Sequence, residues 1–317
     1  MRKMIIDTDT GSDDAVALIM ALKSEDVDVL AVTTVAGNVP LDKATKNALM
    51  TIEIAGGQKP PLYVGAEKPL FRELLTAEGV HGEDGMGDCD LIHPAGTAEE
   101  GRAVDQILKI IEQNPGEVEI VTIGPATNIA LAVMQAPETM RKVKHLWSMG
   151  TAGFGRGNTT PVAEFNVYVD AEAWSVMMNA GIPMSVIGFD VSLGEAAWSE
   201  EEAERLLSSG KPEAVFAVEC NRSLLEYSHR THGIRSIVLP DAVAMAVVLW
   251  DDIVLEMPLC HCFTCTKEEA AYGQVIVNEG LKLAISDGYA GHEPNARVCR
   301  RIDNGLYKEK LELLLIK

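Results

Sequence analysis

Short apolar runs alternate along the chain with segments whose apolar positions recur every three or four residues. The runs are Met4–Asp7, Val27–Val35, Leu62–Val64, Val118–Ile123, His145–Met149 and Met184–Phe189. The helix-like segments include Asp14–Lys23, Leu41–Ala55, Ala98–Gln113, Ile129–Met134 and Ala171–Asn179. Runs too uniformly apolar to alternate belong to strands buried on both faces. The pattern therefore predicts an α/β fold, a Rossmann-like open sheet, mostly parallel, with helices on both faces. Further on, Val254–Met257 and Gln274–Val277 read as strands and Asn304–Leu315 as a closing helix. The acidic run Glu200–Glu204 reads as the solvated start of a helix. No repeat, low-complexity tract or linker divides the chain, so residues 1–317 read as one domain.

In such sheets ligands bind beyond the carboxyl ends of the strands. The first strand runs into Asp7-Thr-Asp9-Thr-Gly11-Ser-Asp13-Asp14. Later strands end in Gly37-Asn38, in Gly124-Pro-Ala-Thr-Asn128 and in the glycine-rich stretch from Gly150 to Asn158. Carboxylates crowded between a strand and a helix repel one another unless a positive group sits among them. Oxygen ligands suit a hard cation such as Ca²⁺. Helix capping accounts for one or two of these acids, not for all of them. Gly11 is expected to permit the tight turn that lets them converge.

Charge narrows the partners. Asp and Glu number 47 against 27 Lys and Arg, a net charge of −20. That field disfavours nucleic acid and anionic membrane surfaces. No apolar run is long enough for a transmembrane helix, and the N-terminus lacks the apolar core of a secretory signal. Six cysteines are too sparse for a disulfide framework, so a cytoplasmic location is expected. Cys260-His-Cys262-Phe-Thr-Cys265 lacks the second ligand pair of a zinc site and reads as packing in a partly buried strand.

The acidic motif resembles the N-terminal signature of the inosine-uridine preferring nucleoside hydrolases. Four more stretches match that family in order: Val35-Ala-Gly-Asn38-Val, Val80-His81-Gly-Glu-Asp-Gly, Gly124-Pro-Ala-Thr-Asn-Ile-Ala and Asn158-Thr-Thr-Pro-Val-Ala-Glu164-Phe-Asn166. Leu239-Pro240-Asp241-Ala-Val-Ala matches in part. The resemblance implies an enzyme that hydrolyses the N-glycosidic bond of ribonucleosides, working as a homodimer or homotetramer on a small-molecule substrate. It implies Ca²⁺ held by Asp9, Asp14, Asp241 and the carbonyl of Ile123, with Asp9 the general base on a metal-held water. It assigns the ribose 2′- and 3′-hydroxyls to Asp13, Asn38, Asn166 and Asp241, the 5′-hydroxyl to Asn158 and Glu164, and the base side to His81.

Each matched residue has a plainer reading. Asn38 could end a strand in a turn, Thr127-Asn128 could cap a helix, and Glu164 and Asn166 could be the outer face of a strand. His81 could be a solvated loop residue. The chain also departs from the family, whose better-known members carry a histidine before the late aspartate to protonate the leaving base. Here that residue is Pro240, which transfers no proton. Tyr227, His229 and His232, in a polar stretch expected to form a mobile lid, are the substitute candidates, the histidines as acids. Two other functions compete: a metal-dependent ribose binder without catalysis, and a haloacid-dehalogenase-type phosphatase with Asp7 as nucleophile.

Overall fold

The computed structural model describes residues 1–267, 269–280 and 293–317. Among the described residues nine strands form the central sheet: β1 (Arg2–Thr8), β2 (Val27–Thr34), β3 (Leu62–Val64), β4 (Val118–Thr122), β5 (His145–Met149), β6 (Met184–Ile187), β7 (Leu259–Thr264), β8 (Val275–Asn278) and β9 (Ala296–Cys299). Their spatial order is β8-β7-β9-β6-β5-β4-β1-β2-β3. From β9 to β3 every pairing is parallel, and β7 runs antiparallel to both β8 and β9. This is the mostly parallel α/β sheet that the pattern predicts.

Helices cover both faces, and the middle of β1 shows why Met4, Ile5 and Ile6 are all apolar. Met4 and Ile6 enter one hydrophobic core, and Ile5, between them, enters the other. A strand buried on both sides has no polar face to alternate with.

Two helices position the functional end of the sheet. Ser12–Lys23 follows β1 directly and is buried from Ser12 to Leu22. Its first turn carries Asp13 and Asp14, and Asp14 reaches back to the Gly11 backbone. Pro240–Leu249 is buried from Asp241 onward and packs against Ser12–Lys23. Proline suits its first turn, since that N–H has no helical partner to lose. The two acidic helix starts are thereby brought face to face.

Several expected boundaries move. The Ala98–Gln113 segment becomes helical only at Ala103, and Met184–Phe189 ends as a strand at Ile187, with Phe189–Ser192 a 3₁₀ turn. Val254–Glu256 leaves the main sheet to pair with Arg301–Ile302. Strand β7 carries the first two cysteines of the motif, Cys260 and Cys262, buried as free thiols, and Cys265 follows its end. Glu200–Ser208 is a helix with a Ser199/Glu202 capping box, as the acidic run suggests. Among the described residues no helix is long and apolar enough to cross a membrane.

Candidate active site

The acid-rich turn after β1 is fully buried from Asp7 to Asp14. Its four carboxylates do different things. Asp7 points back into the fold: Oδ1 accepts from Thr33 Oγ1 at 2.5 Å and from Asn128 Nδ2 at 2.8 Å. These bonds tie Asp7 to β2 and to the Thr127–Gln135 helix, while its Oδ2 is buried without a partner. Asp9 is pressed between two glycines. A Cβ on Gly37 would lie 2.1 Å from Asp9 Oδ2, and one on Gly124 would lie 2.7 Å from Oδ1. Asp9 Oδ2 accepts from the backbone of Asn38 at 2.6 Å.

Asp14 is the most heavily bonded of the four. It accepts from Thr8 Oγ1 at 2.6 Å, from Gly11 N at 2.9 Å and from Asn38 Nδ2 at 3.0 Å. Asn38 is therefore no simple turn residue. Gly11 corrects an expectation: its φ of −88° suits any residue, and what requires glycine is the approach of Asn38, whose Nδ2 would lie 2.8 Å from a Cβ.

Asp13, Asp14 and Asp241 each bring a carboxylate oxygen within 4.8 Å of the others, and all three are buried. The resemblance names Asp9 rather than Asp13 among the ligands. The tightest group contains Asp13 because it sits on the same helical turn as Asp14, facing Asp241, while Asn38 draws Asp9 toward the β2 loop. Asp9 still feels the trio: burial chiefly, then the charge of Asp14, raises it well above the ordinary carboxylate range. Burial followed by the charge of Asp13 pushes Asp14 up to about 7, and the same two causes raise Asp241. Asp9 Oδ1, Asp13 Oδ1 and Asp241 Oδ1 are buried without a hydrogen-bond partner. This donor set fits a hard cation.

Around the acids stand the remaining candidates. Asn166 is buried, and its Nδ2 donates to the Ile123 carbonyl at 3.0 Å. Glu164 and Asn166 do not lie on an exposed strand face. Phe165–Val169 is a short helix, and Glu164 is its buried N-cap, accepting from the backbone of Asn166, Val167 and Thr151. Burial outweighs those bonds and pushes Glu164 up to about 7. Asn158 is exposed at the rim, where its Oδ1 accepts from Phe165 N at 2.9 Å.

His81 ends the Glu78–His81 helical turn and is buried, not solvated. Its Nδ1 is 2.9 Å from Ser12 Oγ and 3.7 Å from Asp13 Oδ1. Burial lowers its pKa below the ordinary histidine value. Ser12 lies inside the acidic motif, which is the one sequence signal that could have marked it.

Two expectations fail. Thr127 and Asn128 lie inside the Thr127–Gln135 helix and do not cap it. Thr127 Oγ1 donates to Asp170 at 2.8 Å, and Asn128 bridges Asp7, the Thr34 carbonyl and Ala66 N. The stretch read as a polar loop is the helix Arg222–His232, closed by left-handed Gly233. Leu224 enters the main hydrophobic core, Ser228 is buried with its hydroxyl 3.2 Å from that of Ser236, and the helix packs against the Glu78–His81 turn. Tyr227 is half-buried and His229 exposed, and the side chain of His232 lies outside the described residues.

Comparison with known proteins agrees with this geometry. Residues 4–309 match the family model described as inosine-uridine preferring nucleoside hydrolase. An uncharacterized protein of Schizosaccharomyces pombe is 44% identical over 191 residues, 60% of this chain and 62% of that one, so the match spans less than two thirds of that relative. The pyrimidine-specific ribonucleoside hydrolase RihA of Citrobacter koseri is 34% identical over 302 residues, 95% of this chain and 93% of the relative. The solved structure of a plant nucleoside hydrolase, PpNRh1, superposes with a TM-score of 0.93 at 29% identity, covering 99% of both chains. The chain belongs to the inosine-uridine preferring nucleoside hydrolase family and is an enzyme acting on the N-glycosidic bond of nucleosides.

Proposed function

We propose that the crevice hydrolyses ribonucleosides to free ribose and nucleobase, with Asp9 as general base and one Ca²⁺ held by Asp9, Asp14, Asp241 and the carbonyl of Ile123. One observation carries this reading: two of these ligands, Asp9 and Asp241, and the neighbouring Asp13 each keep a buried oxygen without a hydrogen-bond partner. Buried unpaired oxygens of like charge are costly, and a cation removes that cost. When bound, Ca²⁺ supplies positive charge that acidifies a water it holds. Asp9 Oδ2 is occupied by the Asn38 backbone, which leaves Oδ1 to take the proton.

Breaking the ribosyl C–N bond develops positive charge on the sugar, and the surrounding carboxylates stabilise it. Asp13, Asn38, Asn166 and Asp241 hold the 2′- and 3′-hydroxyls. Glu164 and Asn158 hold the 5′-hydroxyl. His81 and Tyr227 flank the base, with His229 or His232 as proton donor. Similarity to RihA over 95% of the chain supports a pyrimidine nucleoside such as uridine as the preferred substrate. The family resemblance supports a homodimer or homotetramer.

The test is release of free ribose from uridine, cytidine and inosine, with and without chelator. Turnover of uridine ahead of inosine, lost on chelation and restored by Ca²⁺, is the expected result. Turnover unaffected by exhaustive chelation removes the metal from the scheme.

A further inference from the structure

Thr151 is a buried β-branched residue in left-handed backbone, φ 72°. Such residues rarely adopt that conformation, and it persists only where neighbours impose it. Three hydrogen bonds impose it here. The Thr151 N–H donates to Glu164 Oε2 at 3.2 Å, its carbonyl accepts from Phe189 N at 3.0 Å, and its hydroxyl accepts from Gly153 N at 2.9 Å.

The next turn of this loop is fixed from β6. Asp190, three residues past the strand end, accepts from Phe154 N at 2.9 Å. Its side chain fills space that three glycines leave open. A Cβ on Gly153, Gly155 or Gly188 would lie 1.9, 2.7 or 2.5 Å from an Asp190 atom. On the outer side, the Arg300 guanidinium stacks over the Phe154 ring at 4.0 Å. The connection runs from Asp190 to Phe154 and Gly153, then to Thr151, then to Glu164.

We propose that Asp190 is a positioning residue for sugar recognition: by holding Gly153 and Phe154 it keeps Thr151 left-handed and aims the Glu164 carboxylate into the crevice. The inference rests on Glu164 being the partner of the 5′-hydroxyl. Asp190 acts by shape and by one accepted hydrogen bond, since its Oδ1 is buried without a partner. Asparagine keeps both features without the charge. Glutamate keeps the charge but is one methylene too long for the glycine-lined space.

The readout is the ratio of kcat/KM for uridine to that for 5′-deoxyuridine. Asp190→Ala is expected to lower this ratio about tenfold, mainly through KM for uridine, the scale of one lost hydrogen bond to substrate. Asp190→Asn should keep the wild-type ratio and Asp190→Glu should lose it, whereas a general loss of stability would depress both substrates equally and leave the ratio alone. Glu164→Ala separates the two claims. If it collapses the ratio while Asp190→Ala does not, the Asp190 inference is wrong and the role of Glu164 stands. An unchanged ratio in Glu164→Ala means the 5′-hydroxyl assignment itself is wrong. Should Asp190→Ala fail to fold, equal ratios in the Asn and Glu variants overturn the inference.

Discussion

The backbone N–H of Asn38 donates to Asp9 Oδ2 at 2.6 Å, and this single bond distinguishes the two oxygens of the carboxylate. Oδ2 is held between Gly37 and Asn38, while Oδ1 is buried without a partner. An Asp9→Asn side chain can keep the Asn38 bond with its amide oxygen but accepts no proton on the other arm. Its kcat should fall by roughly 10²–10⁴-fold, the usual contribution of a general base, with ribose binding within a few fold of wild type. Turnover within about tenfold of wild type would show that Asp9 is not the base.

Metal dependence should appear in stability as well as in rate. Asp9, Asp14 and Asp241 are all raised by burial first and then by neighbouring carboxylates, Asp14 for Asp9 and Asp13 for the other two, so the bare site strains the fold. Calcium at about a hundred times its dissociation constant should add roughly 2.7 kcal/mol of stability, seen as a rise in Tm. In Asp241→Asn that rise should vanish, and the chelated variant should be at least as stable as chelated wild type, because one repelling charge is gone. A Tm that calcium raises equally in both proteins would count against Asp241 as a ligand.

The ribose assignment predicts discrimination against 2′-deoxynucleosides. Asp13, Asn38, Asn166 and Asp241 are all buried, and a substrate lacking the hydroxyl leaves polar groups unpaired. The expected loss in kcat/KM from uridine to 2′-deoxyuridine is about 10²-fold or more. Comparable values for the two substrates would remove these residues from the 2′-hydroxyl.

At the opposite end of the sheet, Glu119 predicts an acid-dependent stability. Burial works to raise it, but bonds from Arg2, Trp147 and Lys144 prevail and lower it from 4.5 to about 2. A carboxylate depressed in the fold contributes stability above its unfolded pKa and loses it as pH falls through the folded one. Glu119 therefore contributes fully above about 4.5, by at most about 3 kcal/mol, and less because Lys144 is half exposed. Urea unfolding should show Glu119→Gln less stable than wild type at neutral pH, with the gap closing as pH drops from about 4.5 toward 2. A gap independent of pH would mean that the charge is not what matters.

Local pattern made much of this molecule legible. The six parallel strands from β1 to β6 are readable because each carries a short apolar run, and in the middle of β1 Met4, Ile5 and Ile6 show such a run buried on both faces. The acid cluster was readable because so many carboxylates in one turn have no cheap structural use. Strand β9 was missed because Ala296–Cys299 is too short and mixed to signal itself, and its partner β6 lies far away in sequence. Asn128 was misread because a helix-start residue looks like a cap, whereas its amide is used by Asp7 and the β2 end. Thr151 gave no sign at all. Its backbone angle is set by Glu164, Gly153 and Phe189, contacts that exist only once the chain is folded.

The leaving base is where this chain departs from its relatives, and the fold sharpens the question. Pro240 is the first residue of a buried helix, where it suits the backbone and offers no proton. The helix Arg222–His232 packs against the turn that carries His81. On that helix His229 is exposed and Tyr227 half-buried, with the Arg230 guanidinium 5.7 Å from the Tyr227 ring. Of the two, Tyr227 is the more enclosed by the fold and His229 the more open to solvent. Burial lowers the pKa of His81, which favours its neutral form and suits it to hydrogen bonding more than to proton delivery. Comparing a natural nucleoside with p-nitrophenyl riboside, whose leaving group needs no proton, separates the roles. If His229 or His232 is the acid, its replacement by Ala should slow inosine and uridine hydrolysis by roughly 10²–10⁴-fold and nearly spare the nitrophenyl substrate. If Tyr227 only stacks on the base, Tyr227→Phe should change little and Tyr227→Ala should raise KM for the nucleosides alone. Small, equal losses on both substrates in the two histidine variants would dismiss both as acids and leave the base to depart with Tyr227 or no assistance.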